Sequence, residues 1–405
     1  MVLQFKDNRS DTEILCPCCS SYAVKNGKRT IKLNDVPISP GLPTVLEIEQ
    51  RRFRCLKCGK SFKSFNPFKF AGCNLTGRCV DWINKLMRCK VSTSAIAEIL
   101  GIHWNTVRKI EQFLMEDALR ERDIEMRHSD YRPTFLAVDE FAIRKGHRYA
   151  TCVMDIENGE ILWVGTGRTI KDFRCFFETF SGTDYLSQVK AVAMDMNASY
   201  NTLVRQYLPQ AVIVYDRYHV QAQFGREVLG QVRLDAARRH KENAKELSGD
   251  SAAVKEEKKQ YSKVKKARWM LLQNNENLSC EKQQSLKEIL DTHSDLAVCY
   301  AMKEELCDLF MITDKEAAAE RWEKWFAAAA TSGIAPLVRF ARQKQARIDG
   351  LVSHAVFPIN TGRLEGINNK IKVAKRNAYG FRNNMFFFTL IRFGALKNRR
   401  LHQYL

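Results

Sequence analysis

The apolar pattern of this chain is organised around runs that stop at a carboxylate. Phe135-Leu136-Ala137-Val138 ends at Asp139, and Val189-Lys190-Ala191-Val192-Ala193-Met194 ends at Asp195. Nearer the amino terminus, alternation over 44–54 predicts a strand, and Asn26-Gly27 ahead of it is a hairpin turn signal. Helical spacing then takes over. Cys79, Trp82, Ile83 and Leu86 form one stripe, a second helix runs from Ser92 to Gly101, and a third starts within 102–110. A separate polar helix is expected over 114–128, with a boundary at Tyr131-Arg132-Pro133.

Three strands are predicted next, over 135–141, 148–156 and 160–165, the last two joined at Asn158-Gly159. A helix carrying Phe173, Phe176, Phe177 and Phe180, strand 189–194, a helix capped by Asn197 and strand 211–215 complete the run. Three antiparallel strands followed by alternating helix and strand is the ribonuclease H-like order. Its first and fourth strands are neighbours, which sets Asp139 beside Asp195.

From 221 to 356 the pattern turns helical and charge-rich, with Trp269, Trp322 and Trp325 expected as buried anchors. That stretch is too long for a connection within a compact domain, so it predicts a helical insertion. After the caps Asn360 and Thr361, Leu364, Ile367, Ile371 and Ala374 form an apolar stripe, with Glu365, Asn369, Lys372 and Arg376 on a polar one. Phe386, Phe387, Phe388, Leu390, Ile391 and Phe393 predict a final core helix. The expected fold is multidomain α/β: zinc ribbon 1–66, helix-turn-helix region 67–130, ribonuclease H-like domain 131–220, helical insertion 221–356, and closing helices 357–405 of the ribonuclease H-like domain.

A chain of 405 residues exceeds one ordinary core, which fits this division. Its 65 Lys and Arg against 46 Asp and Glu give a formal charge of +19, which calls for an anionic partner. Nucleic acid leads and an anionic membrane surface is the alternative. No apolar run approaches the roughly 18 residues of a bilayer span, and residues 1–7 lack a secretory layout, so a cytoplasmic, nucleoid-associated protein is expected.

Thirteen cysteines in such a chain point to metal ligation and buried thiols rather than disulfides. Cys16-x-x-Cys19 and Cys55-x-x-Cys58 are two knuckles that can close one structural zinc site, and Cys18 offers a competing register with poorer geometry. The helix pair ending at Gly101 has the form of a DNA-binding helix-turn-helix, which would bring His103, Asn105, Thr106, Arg108 and Lys109 near bases or phosphates. Ordinary core helices share that form. The basic tract 255–268 is either a solvated helix face or a second DNA contact.

Converging carboxylates at strand ends can hold divalent cations for phosphoryl transfer. Asp139 and Asp195 are candidates, with Glu365 from the late helix. Asp216 also ends a strand, so position alone leaves it open as the second ligand, and His219 follows it as a near-site residue.

Together these stretches resemble the ISL3 family of insertion-sequence transposases over nearly the whole chain. The resemblance rests on Arg52-Phe53-Arg54-Cys55-Leu56-Lys57-Cys58-Gly59-Lys60-Ser61-Phe62, Ala137-Val138-Asp139-Glu140, Met194-Asp195-Met196 and Asp216-Arg217-Tyr218-His219-Val220. It continues through Leu364-Glu365-Gly366 and Arg376-Asn377-Ala378-Tyr379-Gly380-Phe381. It implies a DDE transposase with Asp139, Asp195 and Glu365 as its triad, holding two Mg2+ or Mn2+ ions. It also implies binding to terminal inverted repeats and target DNA, with a homodimer or larger assembly on DNA. Lys372 and Arg376 would then meet backbone phosphate. Two rival expectations are a domesticated zinc-dependent DNA-binding regulator and a general ribonuclease H-like nuclease; the complete set of acids disfavours the first, and the ribbon and helix pair the second.

Overall fold

The computed structural model describes residues 1–6, 14–39, 41–144, 146, 148–247, 251–378 and 380–396. Tyr379 of the last motif therefore lies outside the described residues. The chain divides into two compact units, 1–125 with 383–405, and 126–382.

In the first unit, β1 (Val2–Phe5), β2 (Ala23–Ser39), β3 (Leu42–Cys55) and β4 (Ser61–Lys63) form a sheet in which β3 pairs with the other three. Alternate β3 residues point inward as expected, and Leu46 and Ile48 pack on Ile31 and Leu33 of β2. Asn26-Gly27 does not turn the chain. Lys25 pairs with Phe53 and Lys28 with Arg51, so β2 carries one extra residue and Gly27, at φ +86°, sits in a β-bulge. The same freedom that suits a hairpin glycine serves a bulge, and the longer β2–β3 pairing decides between them.

Helices α1 (Gly77–Arg88), α2 (Thr93–Leu100) and α3 (Trp104–His128) follow. The Thr76 hydroxyl caps α1 and donates to Asp35 Oδ1 of β2 at 2.7 Å, while Arg78 of α1 pairs with the same carboxylate. Ser92 caps α2, and Gly101 ends it at φ +63°, where a Cβ would also collide with the Pro43 ring. Ile83, Ile96, Leu100, Val107 and Leu114 close the core between the three helices. The two helices expected at 102–110 and 114–128 are one 25-residue helix. Nothing between Ile110 and Leu114 breaks it, because Glu111, Gln112 and Phe113 all tolerate helix and their neighbours continue the buried stripe.

The second unit holds a mixed sheet of β5 (Phe135–Arg144), β6 (Arg148–Asp155), β7 (Ile161–Thr166), β8 (Ala191–Met194) and β9 (Val212–Tyr215), in the order β7-β6-β5-β8-β9. β5 to β7 are antiparallel, whereas β8 and β9 add in parallel, with Val138 opposite Met194 and Met194 opposite Tyr215. Helices α4 (Ile170–Thr179) and α5 (Ala198–Tyr207) cover one face, α4 through Phe173, Phe176 and Phe177. Next come α6 (Arg217–Phe224), a π turn at Gly225–Leu229, α7 (Gly230–Glu246) and α8 (Ser251–Lys266). The helical stretch continues through α9 (Arg268–Leu272), α10 (Cys280–Thr292), α11 (Ser294–Leu309), α12 (Lys315–Thr331), α13 (Ala335–Gln345) and α14 (Ile348–Val356).

This insertion shares one continuous core with the sheet, and Trp322 and Trp325 are fully buried within it. Gly350 of α14 lies so close to Tyr215 of β9 that a Cβ would meet the ring at 2.4 Å. Trp269 departs from expectation: it is 68% exposed, and Leu271 two residues on is the buried member of that short helix. Helix α15 (Gly362–Asn377) lies along β5, tied by Lys375 to the Ala142 carbonyl at 2.7 Å and by Arg363 to the Ile156 carbonyl. Helix α16 (Asn384–Ala395) belongs to the first unit, where Arg392 pairs with Asp123 at 2.7 Å. Among the described residues, no helix is long and apolar enough to cross a membrane.

Candidate active site and zinc centre

The four-cysteine site is built by the ends of the ribbon strands. Cys16 and Cys19 lie on a turn before β2, Cys55 ends β3 and Cys58 lies in the following turn. Cys16 Sγ is 3.6 Å from Cys58 Sγ, and Cys19 Sγ is 3.5 Å from Cys55 Sγ. Those separations suit the edge of a tetrahedral four-thiolate zinc site, about 3.8 Å for Zn–S bonds near 2.3 Å. Backbone N–H groups of Cys18 and Cys58 point at Cys16 and Cys55 Sγ, both at 3.4 Å, as donors to thiolate sulfur. Cys18 is exposed and bonded to Lys60 Nζ, so the register is Cys16/Cys19.

The thiols titrate as a crowded set. The Ser21 backbone and hydroxyl hold Cys19 down to about 6, whereas burial and three neighbouring sulfurs, against a Lys60 N–H that lowers it, push Cys58 up to about 12.

Two carboxylates of the second unit lie side by side where the parallel pairing of β5 with β8 ends. Asp139 lies on β5 and Asp195 directly follows β8. Asp139 Oδ1 accepts from the Glu140 N–H at 2.7 Å and lies 3.8 Å from His219 Nε2, while Oδ2 accepts from Asn368 Nδ2 at 2.7 Å. Burial pushes the Asp139 carboxyl up to about 6; His219 and the Glu140 N–H oppose that shift, and the charges of Asp195 and Glu140 add to it. A divalent cation would relieve the same strain, so the pair fits a hard metal ion. Asp195 Oδ1 accepts from the Asn197 N–H at 2.9 Å, an arrangement that fixes the turn.

Asp216 is engaged differently. Its Oδ1 accepts from the N–H groups of Tyr218 and His219, capping α6, and its Oδ2 accepts from the Thr361 N–H and hydroxyl, both at 2.8 Å. At 2% exposure, this carboxylate clamps α6 to the start of α15.

Glu365 is exposed on α15 and lines a recess with Asp216, Asn360 and Thr361. Among the described residues, only the four cysteines gather three or more ligand atoms within 4.8 Å of one another. The structure brings Asp139 beside Asp195 and His219, and sets Glu365 one helical turn before Asn368, whose amide bonds Asp139. Asn368, which sequence reasoning missed, occupies the inward position on α15. The signal was available, since 368 falls in the buried row with Leu364 and Ile371.

Of the remaining candidates, His103, Asn105 and Lys109 are exposed at the start of α3, and Thr106 is half-buried. Arg108 is half-buried too, with its guanidinium over the Phe386 ring and 4.0 Å from Glu111. Lys372 and Arg376 are exposed on α15, Lys372 donating to Asn369 at 3.2 Å.

Comparison with known proteins places this arrangement. The ISL3 family model of DDE type, described as "Transposase", matches residues 136–391, and the "zinc-finger of transposase IS204/IS1001/IS1096/IS1165" matches 12–58. The transposase for insertion sequence element IS1001 of Bordetella parapertussis is 33% identical over 388 residues, covering 96% of this chain and 90% of the relative. The transposase for insertion sequence element IS1557 of Mycobacterium tuberculosis, in strains CDC 1551 and H37Rv, is 27% identical over 72% of this chain and 66% of the relative. A four-cysteine zinc-binding cluster ahead of a mixed α/β core with a helical insertion is therefore the framework of a DNA-transposing enzyme. The chain belongs to the ISL3 family of transposases. It acts as a DDE-type transposase of an insertion sequence.

Proposed function

We propose that Asp139, Asp195 and Glu365 are the DDE triad, that unit 126–382 is a ribonuclease H-like domain split by the insertion, and that α2 and α3 form a helix-turn-helix. The observation that carries this reading is the placement of Asp139 within β5 and Asp195 just after β8, side by side where the parallel pairing of the two strands ends, with His219 3.8 Å from Asp139. Asp139 and Asp195 would hold Mg2+ or Mn2+, two ions when the triad is complete. Such ions polarise the scissile phosphate and activate the attacking oxygen.

The chain's own part is positioning. The backbone fixes both aspartates, His219 orients Asp139, and the Asp216 clamp sets the start of α15. Glu365 would complete the triad from the same helix, one turn before Asn368, whose amide already bonds Asp139. Lys372 and Arg376 on the exposed stripe then meet the DNA backbone.

The substrate is double-stranded DNA carrying the element's terminal inverted repeats, cut and then joined to target DNA. Two ends are processed in concert while each chain carries one triad, so a homodimer or larger assembly forms on paired ends. The purified protein is expected to cut repeat-end DNA at the repeat boundary in Mg2+ or Mn2+ and to leave it intact in EDTA. Cutting that persists without divalent ions would overturn the assignment.

Sequence recognition is tested separately. Asn105 stands exposed on the first turn of α3, where an amide can read a base edge. Asn105→Ala is expected to reduce discrimination between repeat and random DNA by about 1–3 kcal/mol, from about fivefold to about 150-fold, with little loss on random DNA. Competition binding at fixed salt measures it, and equal losses on both DNAs would remove Asn105 from base readout. Arg108→Ala is a poorer probe, because its guanidinium packs on Phe386.

A further inference from the structure

Beside Asp195 the second unit encloses a cavity of about 730 Å³ that the carboxylate chemistry does not use. The turn after β8 forms one wall with Asp195 and Asn197, and α6 forms another with His219 and Gln223. The insertion closes the third with Arg226, Lys344 and Arg347.

Lys344 is the unusual member. It is 2% exposed, yet its ammonium has neutral partners, Gln223 Oε1 at 2.5 Å and Met196 Sδ at 3.2 Å. Burial, with Arg347 and Arg226 nearby and Glu227 opposing, lowers its pKa to about 8. A buried cation bonded only to neutral groups, with two guanidinium groups and one carboxylate nearby, costs stability unless a further anion joins it. Arg347 donates to the Met196 carbonyl, so one loop carries Asp195 and anchors this basic wall. A single inorganic anion needs far less room; this volume lies in the range of roughly 300–1,000 Å³ typical of pockets for small organic ligands. The cavity therefore suits a phosphate together with the sugar and base attached to it.

We propose that this cavity receives one nucleotide of the DNA strand flanking the cut, its phosphate held by Lys344 and Arg226. The proposal rests on Asp195 belonging to the catalytic site, which makes processed DNA the nearest source of such a unit. It also gives the insertion a role, since α13 alone delivers Lys344 beside Asp195.

Binding of the full-length protein, read without cleavage in Ca2+, provides the test. Two DNAs are compared, a terminal repeat with its flanking nucleotides and the same repeat ending flush. Lys344→Met should weaken binding of the flanked DNA by about tenfold or more, the loss of one charge-assisted hydrogen bond, and the flush DNA by less than about threefold. Lys344→Arg should restore the difference. Lys344→Met should also keep or raise Tm, because it removes a buried cation without a charged partner. Arg226→Ala supplies the same comparison from a second side chain.

Equal losses on both DNAs, or a lowered Tm with no flank dependence, would reduce Lys344 to a strut between α13 and α6 and overturn the proposal. Inorganic phosphate and a nucleoside monophosphate are titrated as further arms. Lys344-dependent binding of the free nucleotide, with no flank effect on DNA, would reassign the pocket and likewise overturn it. Asp139→Ala should keep the flank-dependent affinity, so failure of the catalytic assignment and failure of the pocket give different results.

Discussion

Asp139→Ala is expected to abolish strand cleavage, by at least about a thousandfold, while affinity for repeat DNA stays within about threefold of wild type. Asp139 is the most enclosed acid of the pair, with Asp195 on the adjacent strand and His219 at 3.8 Å. Removing it takes away the carboxylate best placed to hold a cation against the scissile phosphate. The fold loses little, because the bond to the Glu140 N–H is local and α15, which loses the Asn368 bond, stays tied through Lys375 to the Ala142 carbonyl and Arg363 to the Ile156 carbonyl. Asp195→Ala should match it.

Glu365→Ala should also be inactive, and without loss of Tm, since Glu365 is exposed. Asp216→Ala should differ in kind. Its four accepted hydrogen bonds join α6 to Thr361, so its loss should cost about 2–4 kcal/mol of stability, with cutting retained at low temperature. Gel assays of an end-labelled strand beside thermal melts separate the two behaviours. An active Asp195→Ala together with a stably folded but inactive Asp216→Ala would exchange their roles.

The sheet and the Asp139–Asp195 pair were legible because their signals are local and dense. Apolar runs of four to six residues ahead of a carboxylate mark β5 and β8, although β5 runs on past Asp139 to Arg144, and the Asn158-Gly159 turn fixes the hairpin beside them. Long-range pairing was not legible in the same way. Asn26-Gly27 carries the chemistry of a turn, yet β2 continues through it because pairing with β3 runs on for many residues past the bulge. Trp269 is a good anchor by composition, but the break at Ala267 turns it outward and buries Leu271.

The periodicity of α15 marked one face as buried and Glu365 as lying off it. Reading function from residue type drew attention to the acid and away from Asn368, a polar residue in the buried row. Lys344 was hidden for a related reason. A lysine in a charge-rich helical stretch reads as solvated, and only the packing of α13 against α6 reveals it as buried.

Removing the zinc should have the largest structural effect, and it should stop at the first unit. The ribbon's apolar core is small, chiefly Ile31, Leu33, Leu46 and Ile48, with Phe53 buried against Phe62 nearer the strand ends that the cysteines close. Cys16 and Cys19 precede β2, while Cys55 ends β3 and Cys58 follows it, so a bound metal ties the two strand ends together. The crowded thiols make the same point chemically. With Cys58 pushed up to about 12 by burial and its sulfur neighbours, the metal-free cluster keeps protons that zinc must expel. Metal binding should therefore weaken as pH falls.

Purified protein is expected to carry about one zinc per chain, and Cys16→Ser or Cys58→Ser to release it. In those variants the Cys16–Cys58 and Cys19–Cys55 ends of β2 and β3 should exchange amide hydrogens freely, and repeat-DNA affinity should fall about tenfold or more through loss of the ordered unit. Cys18→Ser should change neither, because that sulfur stands outside the cluster, exposed beside Lys60. The sheet of the second unit should keep its protection throughout, since its core contains none of these residues. Metal analysis with hydrogen exchange resolves each expectation. Zinc-free protein with a fully protected ribbon, or zinc lost on Cys18→Ser, would show that the four-cysteine cluster is not what holds this end of the chain together.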